Sequence, residues 1–125
     1  MLNAKTAMPN IATKNIEVAR KFYEETLGLE KVHVEFDQVL NFKNGGSMII
    51  VYVSEFAGSN KATALTWSVG AELEEIVKTL GSKGVAFEHY EMPHLKREGD
   101  IHVAGDMKMA WFKDPDGNIL GLINR

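Results

Sequence analysis

The sequence predicts an α+β fold: two βαβββ modules in one chain, their mixed sheets forming a cup with the helices packed outside. Three observations carry this expectation. Two segments show the three-and-four spacing of helices, each is preceded by one strand-like stretch and followed by three, and the tripeptide Thr26-Leu27-Gly28 returns as Thr79-Leu80-Gly81. At 125 residues the chain has the length of a single domain, 1–125. Module one then covers about 8–53, a polar linker 54–63, and module two about 64–125.

The first helix is expected over Ile16 to Leu27, where Ala19, Phe22, Tyr23, Thr26 and Leu27 share a face, with Asn15 as its start and Gly28 as its stop. Leu73, Ile76, Val77 and Leu80 place the second over about Glu72 to Lys83. Acidic residues there occupy the first turn, where the helix dipole favours them, and Gly81 reads as the stop. Strands are expected at Asn10–Thr13, Val32–Phe36, Val39–Phe42 and Met48–Val53, the last an unbroken apolar run that suits cover on both faces. In the second half they are expected at Leu65–Val69, Val85–Tyr90, Met107–Lys113 and Ile119–Ile123, with Asp114-Pro115-Asp116-Gly117 as a turn.

The halves are unequal. The Thr-Leu-Gly repeats lie 53 residues apart but the hairpin glycines Gly45 and Gly117 lie 72 apart, so module two is 19 residues longer. The extra length falls at Glu91 to Asp106, a long loop that reads as a candidate lid.

Composition excludes several functions. A net charge of −3 gives no basic field for phosphates, which argues against nucleic-acid and membrane partners. With no cysteine there are no disulfides, thiolate metal sites or cysteine nucleophiles. No stretch of eighteen apolar residues occurs and the N-terminal residues do not form a signal peptide, so a cytoplasmic location is expected.

Two motifs carry a resemblance. Ala19-Arg20-Lys21-Phe22-Tyr23 followed by Leu27-Gly28-Leu29, and Trp111-Phe112-Lys113-Asp114-Pro115-Asp116-Gly117-Asn118, occur in order on the duplicated βαβββ pattern. Nearly the whole chain thus resembles the vicinal oxygen chelate superfamily, which includes glyoxalase I, extradiol dioxygenases and the bleomycin-resistance proteins. Both motifs also have structural explanations, since Phe22 and Tyr23 bury a helix and Asp-Pro-Asp-Gly is turn chemistry.

The resemblance implies a divalent metal held from the first, fourth, fifth and eighth strands. Here those positions fall at Met8, with Asn10 nearby, at Val51 or Tyr52, at Ala64 and at Gly121. Such metals need converging imidazoles or carboxylates, so no metal or other cofactor is expected. The resemblance further implies a homodimer.

What remains is an apolar surface with a few hydroxyl and amide groups. Strand alternation offers Asn10, Phe42, Tyr52 and Thr66, with Tyr90 beside the long loop, as ligand-binding residues. The penultimate strand adds either Met109 and Trp111 or Ala110 and Phe112, and Met109 and Trp111 are taken. Each of these residues is also a natural core residue. His89, His94 and His102 lie among carboxylates near the loop and are the candidate acid/base residues, whereas His33 reads as a surface strand residue. Two functions stand against each other. One is a metal-free protein binding a small organic molecule, and the other is a lyase, isomerase or dioxygenase-type enzyme using a non-standard metal site or those histidines.

Overall fold

In the computed structural model the backbone is described for residues 1–125, and every side chain but that of Glu35. The chain divides into two compact units, Met1–Ser59 and Asn60–Arg125. Among the described residues no helix is long and apolar enough to cross a membrane.

The first unit runs β1 (Asn10–Thr13), α1 (Ile16–Arg20) continuing into a π-helical turn over Lys21–Thr26, β2 (Glu30–Glu35), β3 (Val39–Asn44) and β4 (Ser47–Val53). Its sheet has the order β1-β4-β3-β2, with β1 parallel to β4 and the rest antiparallel. Asn15 caps the helix as its sequence position demands: its side-chain oxygen accepts the N–H groups of Glu17 and Val18, both at 3.1 Å. The helical span matches the expected one, but its second half is wound wider, with Leu27 N–H reaching Phe22 O. The segment ends at Gly28, whose φ of +76° lets Leu29 N–H turn back to Tyr23 O.

One face of this sheet is the core. Ile11, Leu40, Phe42, Ile49 and Val51 are buried with Ala19 and Tyr23 of the helical segment, and the Tyr23 and Phe42 rings lie 5.9 Å apart. On β4 the expected cover on both faces is not found. Ile49 and Val51 are fully buried, while Met48 and Ile50 are half-buried and Tyr52 is exposed. An apolar run fixes strand propensity; it does not fix how many faces are covered.

The second unit runs β5 (Thr63–Ser68), a 3₁₀ turn (Gly70–Glu72), α2 (Leu73–Ser82), β6 (Phe87–Glu88), β7 (Lys96–Glu98), β8 (Ile101–Ala104), β9 (Met107–Lys113) and β10 (Ile119–Ile123). The helix passes through Gly81 and stops at Gly84, whose φ is +91°, with Val85 N–H closing on Leu80 O. Leu73, Val77 and Leu80 of α2 are buried, as are Ala110, Phe112, Leu120 and Leu122 from the sheet. Trp67 stacks on Phe112 at 6.4 Å and Phe87 meets the same ring edge-on at 5.6 Å.

The strands corresponding to β1 to β4 are β5, β6, β9 and β10, with β5 parallel to β10. Here the modules part. β6 is only two residues long, pairing Phe87 with Phe112 and Glu88 with Trp111, so half of that edge of β9 is left free. β8 takes it, pairing His102 with Met109 and Ala104 with Met107, and β7 pairs outside β8. The expected loop at 91–106 therefore contains a β-hairpin built into the sheet, which is not the form of a swinging lid. Its turn, Gly99-Asp100 with Gly99 at a φ of +63°, uses the residue type such a turn needs.

The Asp114 turn is closed by its own side chains. Asp114 Oδ1 accepts the N–H groups of Asp116 and Asn118 at 3.0 and 2.9 Å, and Oδ2 accepts Asn118 Nδ2 at 2.8 Å. Asp114 is only 5% exposed, so its charge is held by hydrogen bonds, and the motif is structural.

Candidate functional site

Paired strand residues project to the same side, so the register of the second sheet defines the face opposite α2. One row across it is Thr66, Gly121, Trp111 and Glu88; the next is Ser68, Ile123, Met109 and His102. The open choice on β9 is thereby resolved: Met109 and Trp111 stand on this face, while Ala110 and Phe112 are fully buried on the other. Tyr90 follows β6 and closes on the same group, its ring 5.4 Å from Trp111 and 6.2 Å from His102. His102 and Trp111 meet edge-to-face at 4.8 Å.

Gly121 sets the geometry of the first row. A Cβ there would lie 2.9 Å from Thr66 Oγ1 and 3.4 Å from both Cδ1 and Nε1 of Trp111. The Thr66 hydroxyl and the indole therefore occupy the space a side chain would need. Glu88, at the end of that row, meets Lys113 Nζ at 3.2 Å. The sequence singles out Gly121, but not its crowding against Thr66 and Trp111 or this ion pair, because these depend on register, which no local pattern encodes.

The groups at the centre of this face are uncharged. Burial and the neighbouring Glu88 carboxylate raise the pKa of Tyr90, keeping its phenol protonated. His102 is completely buried, and burial first, then the charges of His89 and Arg97, lower its pKa below the ordinary value of 6.5. The Met109 backbone pulls the other way, whereas the Tyr90 N–H, donated to the ring's Nε2 lone pair, favours the neutral form. His89 and His94 are exposed; His89 Nε2 lies 2.7 Å from Asp100 Oδ1, and His94 sits in the turn before β7.

On the first sheet, Asn10, Ile50, Asn41 and His33 form one row and Ala12, Tyr52 and Val39 the next. Asn10 and Tyr52 thus share a face. Phe42 points the other way, fully buried against Tyr23, and the residue beside it, Asn41, takes the opposite side of β3, itself buried, with its Nδ2 3.5 Å from His33 Nε2. Phe42 belongs to the core.

A family model, Glyoxalase/Bleomycin resistance protein/Dioxygenase superfamily, matches residues 5–122. The chain belongs to that superfamily. Solved structures carry the same fold. Lactoylglutathione lyase from Agrobacterium tumefaciens matches with a TM-score of 0.73 and 17% identity, covering 98% of this chain and 95% of that one. A bleomycin-binding protein complexed with bleomycin gives 0.72 and 20%, covering 98% and 99%. An integron cassette protein from the mobile metagenome of Halifax Harbour sewage outfall also gives 0.72 and 20%, with the same coverage. No curated protein sequence matches.

The divalent metal that this superfamily brings to mind does not fit the residues present. Ala64 and Thr66 share a face of β5 but offer one hydroxyl, Gly121 offers no side chain and no room for one, Met8 and Val51 carry no hard donor, and Tyr52, the alternative to Val51, offers a single phenol. Among the described residues no three His, Asp or Glu side chains come together as a metal-binding group.

Proposed function

We propose that this superfamily member binds a small organic molecule without a metal, using Thr66, Tyr90, Met109 and Trp111 on the second sheet. Asn10 and Tyr52 are the corresponding candidates on the first. The observation that carries the reading is the row at Gly121: an indole and a hydroxyl stand where a metal-binding carboxylate would have to. A half-buried apolar surface with a few uncharged hydrogen-bonding groups favours burial and orientation of an uncharged ligand over acid/base or Lewis-acid work. A homodimer and a cytoplasmic location complete the proposal, and light scattering on the purified chain tests the first of these.

The deciding experiment is elemental analysis after mild purification, followed by thermal unfolding against a panel of uncharged aromatic and heteroaromatic compounds. Sub-stoichiometric metal with a compound that raises Tm supports the reading; a ligand at a hundred times its Kd stabilises by about 2.7 kcal/mol. Stoichiometric bound metal overturns it.

A second reading keeps a reaction at the loop, on one specific observation. His89 and Asp100 form the histidine–carboxylate contact that orients an imidazole, although both are about half exposed. Turnover of a carbonyl substrate that is abolished in His89→Ala would favour it.

A further inference from the structure

His102 Nε2 accepts the backbone N–H of Tyr90 at 2.9 Å. Accepting requires a lone pair, so the neutral ring carries its single proton on Nδ1. That Nδ1 is buried without a partner, as is the Tyr90 hydroxyl. One bond thus ties the segment after β6 to the inserted hairpin. A second tie lies one residue earlier, from His89 to Asp100 in the β7–β8 turn at 2.7 Å.

The two ties respond oppositely to a proton. Charging His89 strengthens its contact with a carboxylate. Charging His102 places an N–H where the ring must accept one, so two donors face each other, and it buries a cation with no anion to meet. Of the surroundings, the Met109 backbone favours the charged ring, and the neighbouring side chains do not. Arg97 on β7 is the cross-strand partner of His102, and Arg97 and His89 both oppose a positive ring. On β9, Lys108 and Lys113 are also cations, engaged by Glu74 and Glu88 respectively. The remaining neighbour, Tyr90, is a neutral phenol.

We propose that His102 is a proton-operated latch on Tyr90: neutral, it holds Tyr90 against Trp111, and charged, it lets Tyr90 go while His89 keeps the segment on the hairpin. Release uncovers the indole, so the latch regulates the face proposed above as the ligand site, and only this consequence rests on that proposal. Since burial holds the ring below its ordinary pKa, the transition belongs below pH 6.5.

The test is backbone amide exchange by NMR on the full chain from pH 7.5 to 5, corrected for intrinsic pH dependence. Tyr90 should lose protection about tenfold or more, following the titration of the His102 ring carbons, while the Val77 amide in α2 stays protected. Unchanged Tyr90 protection as His102 titrates overturns the latch, as does a loss shared with Val77. His102→Gln, whose amide oxygen accepts at any pH, should flatten the response; an undiminished response in that variant also overturns it. If the variant does not fold, the wild-type midpoint decides, because a Tyr90 transition that does not follow His102 refutes the latch. A chain that binds no organic ligand yet releases Tyr90 in this way keeps the latch and refutes the ligand reading.

Discussion

Gly121 and Thr66 are cross-strand partners on β10 and β5, so close that any Cβ at 121 would come within 2.9 Å of the threonine hydroxyl oxygen. Gly121→Ala should therefore destabilise the protein by about 1–3 kcal/mol, read by denaturant unfolding. Adding Thr66→Ala removes the nearer contact and should recover part of that loss, so the two effects should be non-additive. Strict additivity would show that the crowding lies elsewhere.

Trp111 and Phe112 are adjacent in sequence and opposite in fate. Phe112 is fully buried between Trp67 and Phe87, so Phe112→Ala should cost about 3–5 kcal/mol. Trp111→Ala, on the half-buried face, should cost less stability and instead abolish any ligand-induced rise in Tm. Equal stability losses for the two variants, with the ligand response intact, would contradict the placement of the site.

The three hydrogen bonds accepted by Asp114 give a further expectation. Asp114→Ala leaves the N–H groups of Asp116 and Asn118 without that acceptor, which should cost about 3 kcal/mol. Asp114→Asn, which keeps one carbonyl oxygen, should cost less. Both should leave ligand response per folded molecule unchanged, as a structural motif requires.

Acid should weaken the fold through His102. Its folded pKa lies below the unfolded value, so on acidification the unfolded chain takes up the proton first. The stability contributed is complete above pH 6.5 and declines as pH falls from there towards the folded pKa. His102→Gln should remove that part of the slope in unfolding free energy against pH. An identical slope in wild type and variant would exclude His102 as its source.

Much of the architecture was legible because it is local. Asn15 as cap, the Asp114 turn, and β1, β9 and β10 follow from propensity and turn chemistry, and the structure places them at their expected bounds. The departures are of another kind. Gly81 lies inside α2 because tertiary packing of Leu73, Val77 and Leu80 carries the helix one turn past it to a glycine with positive φ. Phe42 and Asn41 are neighbours on β3 and both buried, and only pairing with β4 decides which of them faces the Tyr23 side of the sheet. The β7–β8 hairpin hid behind its charge, although Gly99-Asp100 ahead of Ile101, Val103 and the paired His102 was a turn signal. The candidate site shares that limit, since the row joining Thr66, Gly121, Trp111 and Glu88 draws on four strands.

The inserted hairpin also changes what the second sheet presents to other molecules on that side. Without it, the unpaired rim would be the first half of β9, Met107 to Ala110, a short stretch with two methionines that invites strand addition by another chain. With it, the rim is β7, three residues long, all exposed, reading Lys96-Arg97-Glu98. A sheet finished in this way is guarded against edge-to-edge aggregation by the same residues that carry one wall of the Tyr90 latch.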